Sequence, residues 1–434
     1  MSLYGDQIKK IISPNEEIAS KKSNPYINSQ VYKAMQDNFR SLVEEAFSKL
    51  DNYTRLNNYK GWDLFDGLNS EVLQKSSIYK YPPVRLAWIQ AFKRSPINFR
   101  AITRVPKSNN SKGFSLFLSG LVYSGRLSEA KELYSILINQ AIKRKAGYAW
   151  GYNFPWESRA FYVPEGTPNV VSTVFVANAL LDYFDATGNE EAFIKAASAA
   201  DFILDELLLY EDEESVCFGY IPGEDARVHN ASMMAAALLG RVFSLSGSAI
   251  YLEKSRKAMS YAINALKPDY SWPYGERSHH QFVDSFHTGF NLVALHDWMK
   301  STRQSNWNEQ LRKAYSYYID NFWLSDGCPK YYNTSLYPID IHASAQGIVT
   351  CTKLADIDER SHNLAQNIAT WTIENMQSDS GYFYFQKKRF WKNKIPYIRW
   401  SQAWMFYALS ILISSMNATH KEPGTQADTH ENMV

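Results

Sequence analysis

The sequence has 434 residues, and its 46 Lys and Arg against 44 Asp and Glu leave a formal charge of +2. With no long basic cluster, that balance speaks against nucleic acid as a partner. Cys217, Cys328 and Cys351 lie far apart with no ligand spacing, so neither a disulfide framework nor a zinc site is indicated, and no metal or cofactor is expected.

In chain order, the opening MSLYGDQIKKIISPNEE has no apolar signal core, and no later stretch is long and apolar enough to span a bilayer; a cytoplasmic protein is expected. Residues 1–27 read as an N-terminal extension. Helices are predicted over Gln30 to Leu50 and near Pro83 to Ser95. Beyond them the chain repeats itself. The segments SKGFSLFLSGLVYSG, PNVVSTVFVANALLDYFDATG, RVHNASMMAAALLGRVFSLSG, VDSFHTGFNLVALHDWMK, IDIHASAQGIVTCTKLAD and YIRWSQAWMFYALSILI align so that Phe114, Ser172, Asn230, His287, His342 and Trp400 share a column, at separations of 58, 58, 57, 55 and 58 residues. A repeat of that length marks one supersecondary unit per copy.

Each copy begins with a helix that is apolar nearly all round, as from Val170 to Phe184, and such a helix has to be enclosed by others. Five copies continue through a short turn into an amphipathic helix; Leu311, Tyr315, Tyr318, Ile319 and Phe322 share one face of such a helix. The expected architecture is an all-α toroid of six helical hairpins, (α/α)6, in one domain over residues 28–416. Gln30 to Leu50 is expected as the sixth outer helix. The helix near Pro83 falls outside the register, which leaves a sevenfold ring open. The long connectors, among them GYAWGYNFPWESRA, YSWPYGERSHHQ and CPKYYNTSLYP, all precede inner helices and so crowd one rim, where function usually collects. Residues 417–434 are polar and read as a disordered tail.

This layout resembles the six-hairpin glycosidase-like superfamily of alpha/alpha toroids, which includes glycoside hydrolases, polysaccharide lyases and N-acylglucosamine 2-epimerases. More narrowly, GWDLFDGLNS, RSPINFR, WGYNFPWESRAFYVPEGTPNVVSTVFVANAL, DSFHTGFNL and PIDIHASAQ resemble a bacterial family found with exopolysaccharide and lipopolysaccharide biosynthesis proteins. Some of its members have carried a delta-aminolevulinic acid dehydratase label. That enzyme is a beta/alpha barrel, and this chain lacks the strand pattern for one. The resemblance implies a carbohydrate-active protein whose partner is an oligosaccharide or polysaccharide precursor.

Three sets of residues could carry such chemistry. The first is His287 and His342, with Asp284 and Asp340 just upstream; if the repeats superpose, both imidazoles enter one cavity and serve as acid and base. The competing role is structural, with the aspartates as helix N-caps and the histidines buried and neutral. The second set is carboxylates, which a glycosidase uses in pairs. Glu157, Glu224, Asp225, Glu276, Asp63 and Asp66 lie on the rim connectors, and Glu276 is the first candidate acid because Trp272 and Tyr274 flank it and could desolvate it.

The third set is for binding. Aromatic residues make up 15% of the chain, and rings with polar tips suit hydroxyl-edged sugar faces. Trp62, Trp150, Tyr152, Trp156, Trp272, Tyr274, Tyr331 and Trp400 are the expected stacking surfaces, with Arg159 and Arg399 for an acidic group. Asp63, Asp66 and Asp340 add hydrogen-bond acceptors. Hydrolysis, elimination and epimerisation, in that order, remain open, as does saccharide binding without catalysis.

Overall fold

The computed structural model describes residues 25–157 and 162–420. Residues 1–24 of the expected extension, residues 421–434 of the expected tail, and Arg159 lie outside them. The chain divides into two compact units, Met1–Leu42 and Val43–Val434. The second holds everything described below except the part of the first helix up to Leu42.

Helices longer than one turn are α1 (Pro25–Leu56), α2 (Pro82–Arg94), α3 (Ser111–Tyr123), α4 (Leu127–Asn139), α5 (Val170–Thr187), α6 (Glu190–Glu206), α7 (His229–Ser246), α8 (Ala249–Ile263), α9 (Ser285–Thr302), α10 (Asn308–Asn321), α11 (Ile341–Lys353), α12 (Arg360–Met376) and α13 (Trp404–His420). Around a ring run α3, α5, α7, α9, α11 and α13, each touching the next and α13 closing on α3. They are the inner helices. Their sequences explain the position: on α5, every residue from Val170 to Tyr183 is buried except Phe175, Asn178 and Asp182, which face the bore, so only a helix with neighbours nearly all round can satisfy it. Helices α4, α6, α8, α10 and α12 pack outside. From Val43 onward α1 takes the sixth outer place, with the Phe47 ring 4.9 Å from Phe406 and Gln377 Nε2 donating to the Ala46 carbonyl at 2.8 Å.

The ring is therefore sixfold. The helix that left seven open, α2, packs instead on a short 3-10 turn at Asp66–Asn69, where the Trp88 indole donates to the Gly67 carbonyl.

Two sequence features hold the inner helices in place. Polar N-caps begin them: Asn110, Asn169, Asp284 and Asp340 each accept a backbone N–H from the first turn, each cap stabilising by about 0.5–2 kcal/mol. Small residues let them approach. A Cβ built on Gly120 would lie 2.6 Å from the Phe406 ring, and one on Gly347 2.1 Å from Trp323. Inner helices pass to outer ones through tight turns, with Gly188 and Gly247 at φ 70° and 71°, a conformation that costs glycine nothing. The opposite rim carries the long connectors, stiffened by short antiparallel ladders such as Trp156–Glu157 with Tyr162–Val163. Among the described residues, no helix is long and apolar enough to cross a membrane.

Candidate functional site at the long-loop rim

The Asp284 carboxylate does two things at the head of α9. Oδ1 accepts the His287 backbone N–H at 2.8 Å, and Oδ2 lies 2.7 Å from His287 Nδ1. One acid thus caps the helix and fixes the imidazole. Asp284 beside Nδ1 favours the tautomer with its proton on Nδ1, which would leave the lone pair on Nε2. The His287 side chain is 22% exposed, and among the described residues Nε2 has no hydrogen-bond partner. Tyr274 and Phe286 flank the ring at 4.6 and 4.3 Å between centroids.

The second histidine is not its equivalent. Asp340 Oδ1 accepts the backbone N–H of His342, the second helical residue, where Asp284 accepts that of the third. One residue is about 100° on a helix, so His342 turns inward and is buried while His287 faces the rim. Counted from the N-caps Asn110, Asp284, Asp340 and Tyr397, the second residues are Lys112, Phe286, His342 and Arg399, and the third include His287 and Trp400. The shared column drawn from the sequence falls on the third residue at α5, α9 and Trp400 but slips by one at α3, α7 and α11. The two imidazoles still meet a common neighbour, since the Phe286 ring lies 4.3 Å from His287 and 4.9 Å from His342.

Among the described residues, His342 has no hydrogen-bond partner on either ring nitrogen. Trp400 and Trp404 close over it at 4.5 and 4.6 Å. Burial, then the nearby Lys112 and Arg399 charges, hold it well below the usual imidazole range, so it is neutral. Asp340 is pinned by Trp400 Nε1 at 2.9 Å and Gln386 Nε2 at 2.5 Å, and burial raises its carboxyl. Tyr331 stands between the two capping acids; burial, then Asp340 and Asp284, push its phenol up.

Lys112 was not singled out in the sequence. It heads an otherwise apolar inner helix, is buried, and has no carboxylate within ion-pair range among the described residues. Its ammonium sits 4.3 Å from the Phe175 ring, 5.5 Å from Phe290 and 5.3 Å from Trp404. Burial, then Arg399, drives its pKa well below the ordinary lysine value. A lone lysine inside SKGFSLFLSG was the available signal.

Several expected residues have other work. Arg399 gives Nε and Nη2 to Asp63, both at 2.7 Å, and stacks 5.0 Å from Tyr152; Arg100 Nε binds Asp66 at 2.6 Å. These buried pairs knit the GWDLFDG loop to the barrel, so Asp63, Asp66 and much of Arg399 are spent on structure. Trp150 and Trp272 are buried, their indoles donating to the Leu137 and Ala262 carbonyls at the ends of outer helices. Trp62 donates to the Val105 carbonyl, and Trp156 packs against Leu68, Leu73 and Ile89. Glu276 is 44% exposed, hydrogen-bonded by Tyr261 of α8 and 3.7 Å from Arg227. The expected desolvation is missing because Trp272 turns into the core and Tyr274 toward His287. Glu157 pairs with Arg85, and Glu224 and Asp225 with Arg277.

What the rim gathers is therefore His287 with Asp284, the neutral His342 with Asp340, Lys112, and the rings of Tyr152, Tyr274, Tyr331 and Trp400. Tyr220, also missed, joins them through its hydroxyl, 3.2 Å from that of Tyr152.

No protein-family model matches the sequence, and no curated protein does. Solved structures do match. The cellobiose 2-epimerase of Bacillus thermoamylovorans superposes with a TM-score of 0.57 at 12% identity, covering 71% of this chain and 90% of that one. The GH76 alpha-mannanase of Bacteroides thetaiotaomicron gives 0.52 at 15%, covering 72% and 89%. A D-mannose isomerase gives 0.53 at 14%, covering 70% and 87%. The likeness is one of fold. All are alpha/alpha toroids, as this chain is.

Proposed function

We propose that the protein is a carbohydrate enzyme that moves a proton at the carbon next to the carbonyl of a reducing sugar, interconverting epimers or an aldose and a ketose. The observation that carries this is the pair of unlike imidazoles. His287, oriented by Asp284, offers Nε2 as the base for the C2 proton, and the neutral His342 lies beyond Phe286 in the same pocket of rings. Removing the proton puts negative charge on the sugar oxygen. Among the described residues Lys112 has no carboxylate within ion-pair range, so an enediolate would be the direct partner it lacks, and that attraction exists only once charge develops. Returning the proton to C2 gives the epimer, and to C1 the ketose; no oxidant is needed.

Hydrolysis, placed first by the sequence, finds less support. Among the described residues the rim acids are engaged as N-caps, in pairs with arginine, or turned outward as Glu276 is, and no two free carboxyls face each other. The epimerase and the isomerase among the similar structures favour the same reading. The narrower resemblance to exopolysaccharide-associated proteins makes a precursor of surface polysaccharide the substrate class.

The test is to incubate the protein in D2O with aldoses and aldobioses and follow C1 and C2 by proton NMR. Deuterium should enter C2 as the epimer forms or C1 as the ketose forms, and His287→Ala should stop both with the thermal midpoint within a few degrees. New reducing ends, unsaturated products, or no exchange with any sugar would overturn the proposal.

A further inference from the structure

At the other end of the barrel, where the short turns are, the bore widens into a cavity of about 290 Å³ lined by all six inner helices. It belongs to neither the long loops nor the histidines. Phe175, Phe290 and Trp404 form its inner wall, the same rings that Lys112 meets.

The mouth is ringed by polar side chains at one level. The thirteenth residues after the N-caps Asn110, Asn169, Val228, Asp284 and Asp340 are Tyr123, Asp182, Arg241, Asp297 and Lys353, and Tyr407 of α13 completes the circle. Arg241 binds Asp182 at 2.8 Å and Lys353 binds Asp297 at 2.6 Å. Two acids and two bases cancel, and the third lining base, Lys300, is paired with Asp356 at 3.2 Å. Between them the Tyr123 and Tyr407 hydroxyls have no hydrogen-bond partner among the described residues, and Asp182, then burial, raises Tyr123 to about 12, so it stays a donor. Deeper in, Gln346 and Trp404 line the cavity and are almost wholly buried, and among the described residues their Oε1 and Nε1 have no partners.

We infer that this cavity is a second binding site, for one neutral polyhydroxylated ring or a short alditol. A charge-balanced mouth gives a charged ligand nothing to neutralise, whereas each hydroxyl both donates and accepts and can serve phenol, carboxylate and amide in turn. The aromatic wall supplies a face for C–H edges. The space equals about ten waters, enough for one pyranose and too small for a chain of sugars.

The probes are D-mannose and D-glucitol, with mannose 6-phosphate and glucosamine as charged comparators, titrated into the full chain by calorimetry and ligand-observed NMR. Ala237→Phe places a ring in the bore and should abolish the binding. Tyr407→Phe removes one hydroxyl and should weaken it about 5- to 10-fold. Trp400→Ala, at the rim, should leave it unchanged, which separates this site from the proposed reaction. Should Ala237→Phe fail to fold, Tyr407→Phe decides. No binding of either neutral probe, tighter binding of the charged comparators, loss with Trp400→Ala, or indifference to Tyr407→Phe would overturn the inference.

Discussion

Replacing Lys112 with methionine should make the protein more stable and less active at once. The ammonium is buried, has no carboxylate within ion-pair range among the described residues, and sits beside Arg399. Methionine keeps the length and removes the charge. Replacing buried charge by apolar volume is worth about 1–4 kcal/mol; the three rings at 4.3–5.5 Å return part of the desolvation cost through cation–π attraction, on the order of 2 kcal/mol when dry, so a net gain of at most about 2 kcal/mol is expected. For a unit the size of Val43–Val434, the unfolding entropy is on the order of 0.8 kcal/mol/K, and the midpoint should rise by no more than about 3 °C. Losing the charge that meets the enediolate should lower kcat by about 100-fold or more, the size of an oxyanion donor's contribution, with a smaller effect on KM. Differential scanning calorimetry and the C2 exchange assay read the two halves. A midpoint lowered by several degrees would mean the ammonium is satisfied in the fold, and unchanged kcat would remove Lys112 from the reaction.

Other outcomes follow from the same geometry. Asp284→Asn keeps an N-cap, since asparagine caps as well as aspartate, but loses the anion behind His287 Nδ1; kcat should drop at least about tenfold with the midpoint unchanged, and equal losses in both would refute the orienting role. Glu276→Gln should leave turnover within about twofold, because its exposed carboxylate points away from the histidines; abolished turnover would restore it as an acid. Gly347→Ala should cost about 1–3 kcal/mol, read by chemical denaturation, because its methyl would meet Trp323 at 2.1 Å. His342 is depressed mainly by burial, so the unfolded chain binds the proton that the folded one refuses. Stability from this group is complete above about pH 6.5 and falls as pH drops below that value; His342→Gln should flatten that part of the midpoint–pH curve.

The barrel was legible because its causes are local. N-caps, all-round apolar inner helices and amphipathic outer ones repeat along the chain, and six copies leave few other ways to enclose six apolar helices. The site was legible in part. Asp284 and His287 are three residues apart, so their contact is a property of one helix turn. Whether a cap accepts from the second or third helical residue is decided by how the chain enters the helix, and that choice turned His342 inward. Ion pairs such as Asp63 with Arg399 span most of the chain, and no pattern near either residue announces the other. Indoles misled for a related reason. Trp150 and Trp272 sit in polar text, yet each N–H ends an outer helix by meeting an unsatisfied carbonyl, a demand visible only once the helix has a place.

The two ends of the bore differ in what they ask of the core. At the rim, Phe286, His342, Trp400 and Trp404 pack against one another, and burial there creates the neutral imidazole and the strained lysine. At the other end the helices leave about 290 Å³ unfilled. A dry void of that size would cost about 7 kcal/mol at ~24 cal/mol per Å³, comparable to the whole stability of an ordinary domain. The ring from Tyr123 to Tyr407 lets water occupy the space instead, since water enters cavities that offer it polar partners. A larger side chain at Ala237 or Ser115 would close much of that volume without water, so packing alone does not require the cavity. The recurrence of polar residues thirteen places after five N-caps is the signature of a mouth kept wet, and a wet mouth above an aromatic wall is what a sugar ring can enter by exchanging waters for hydroxyls.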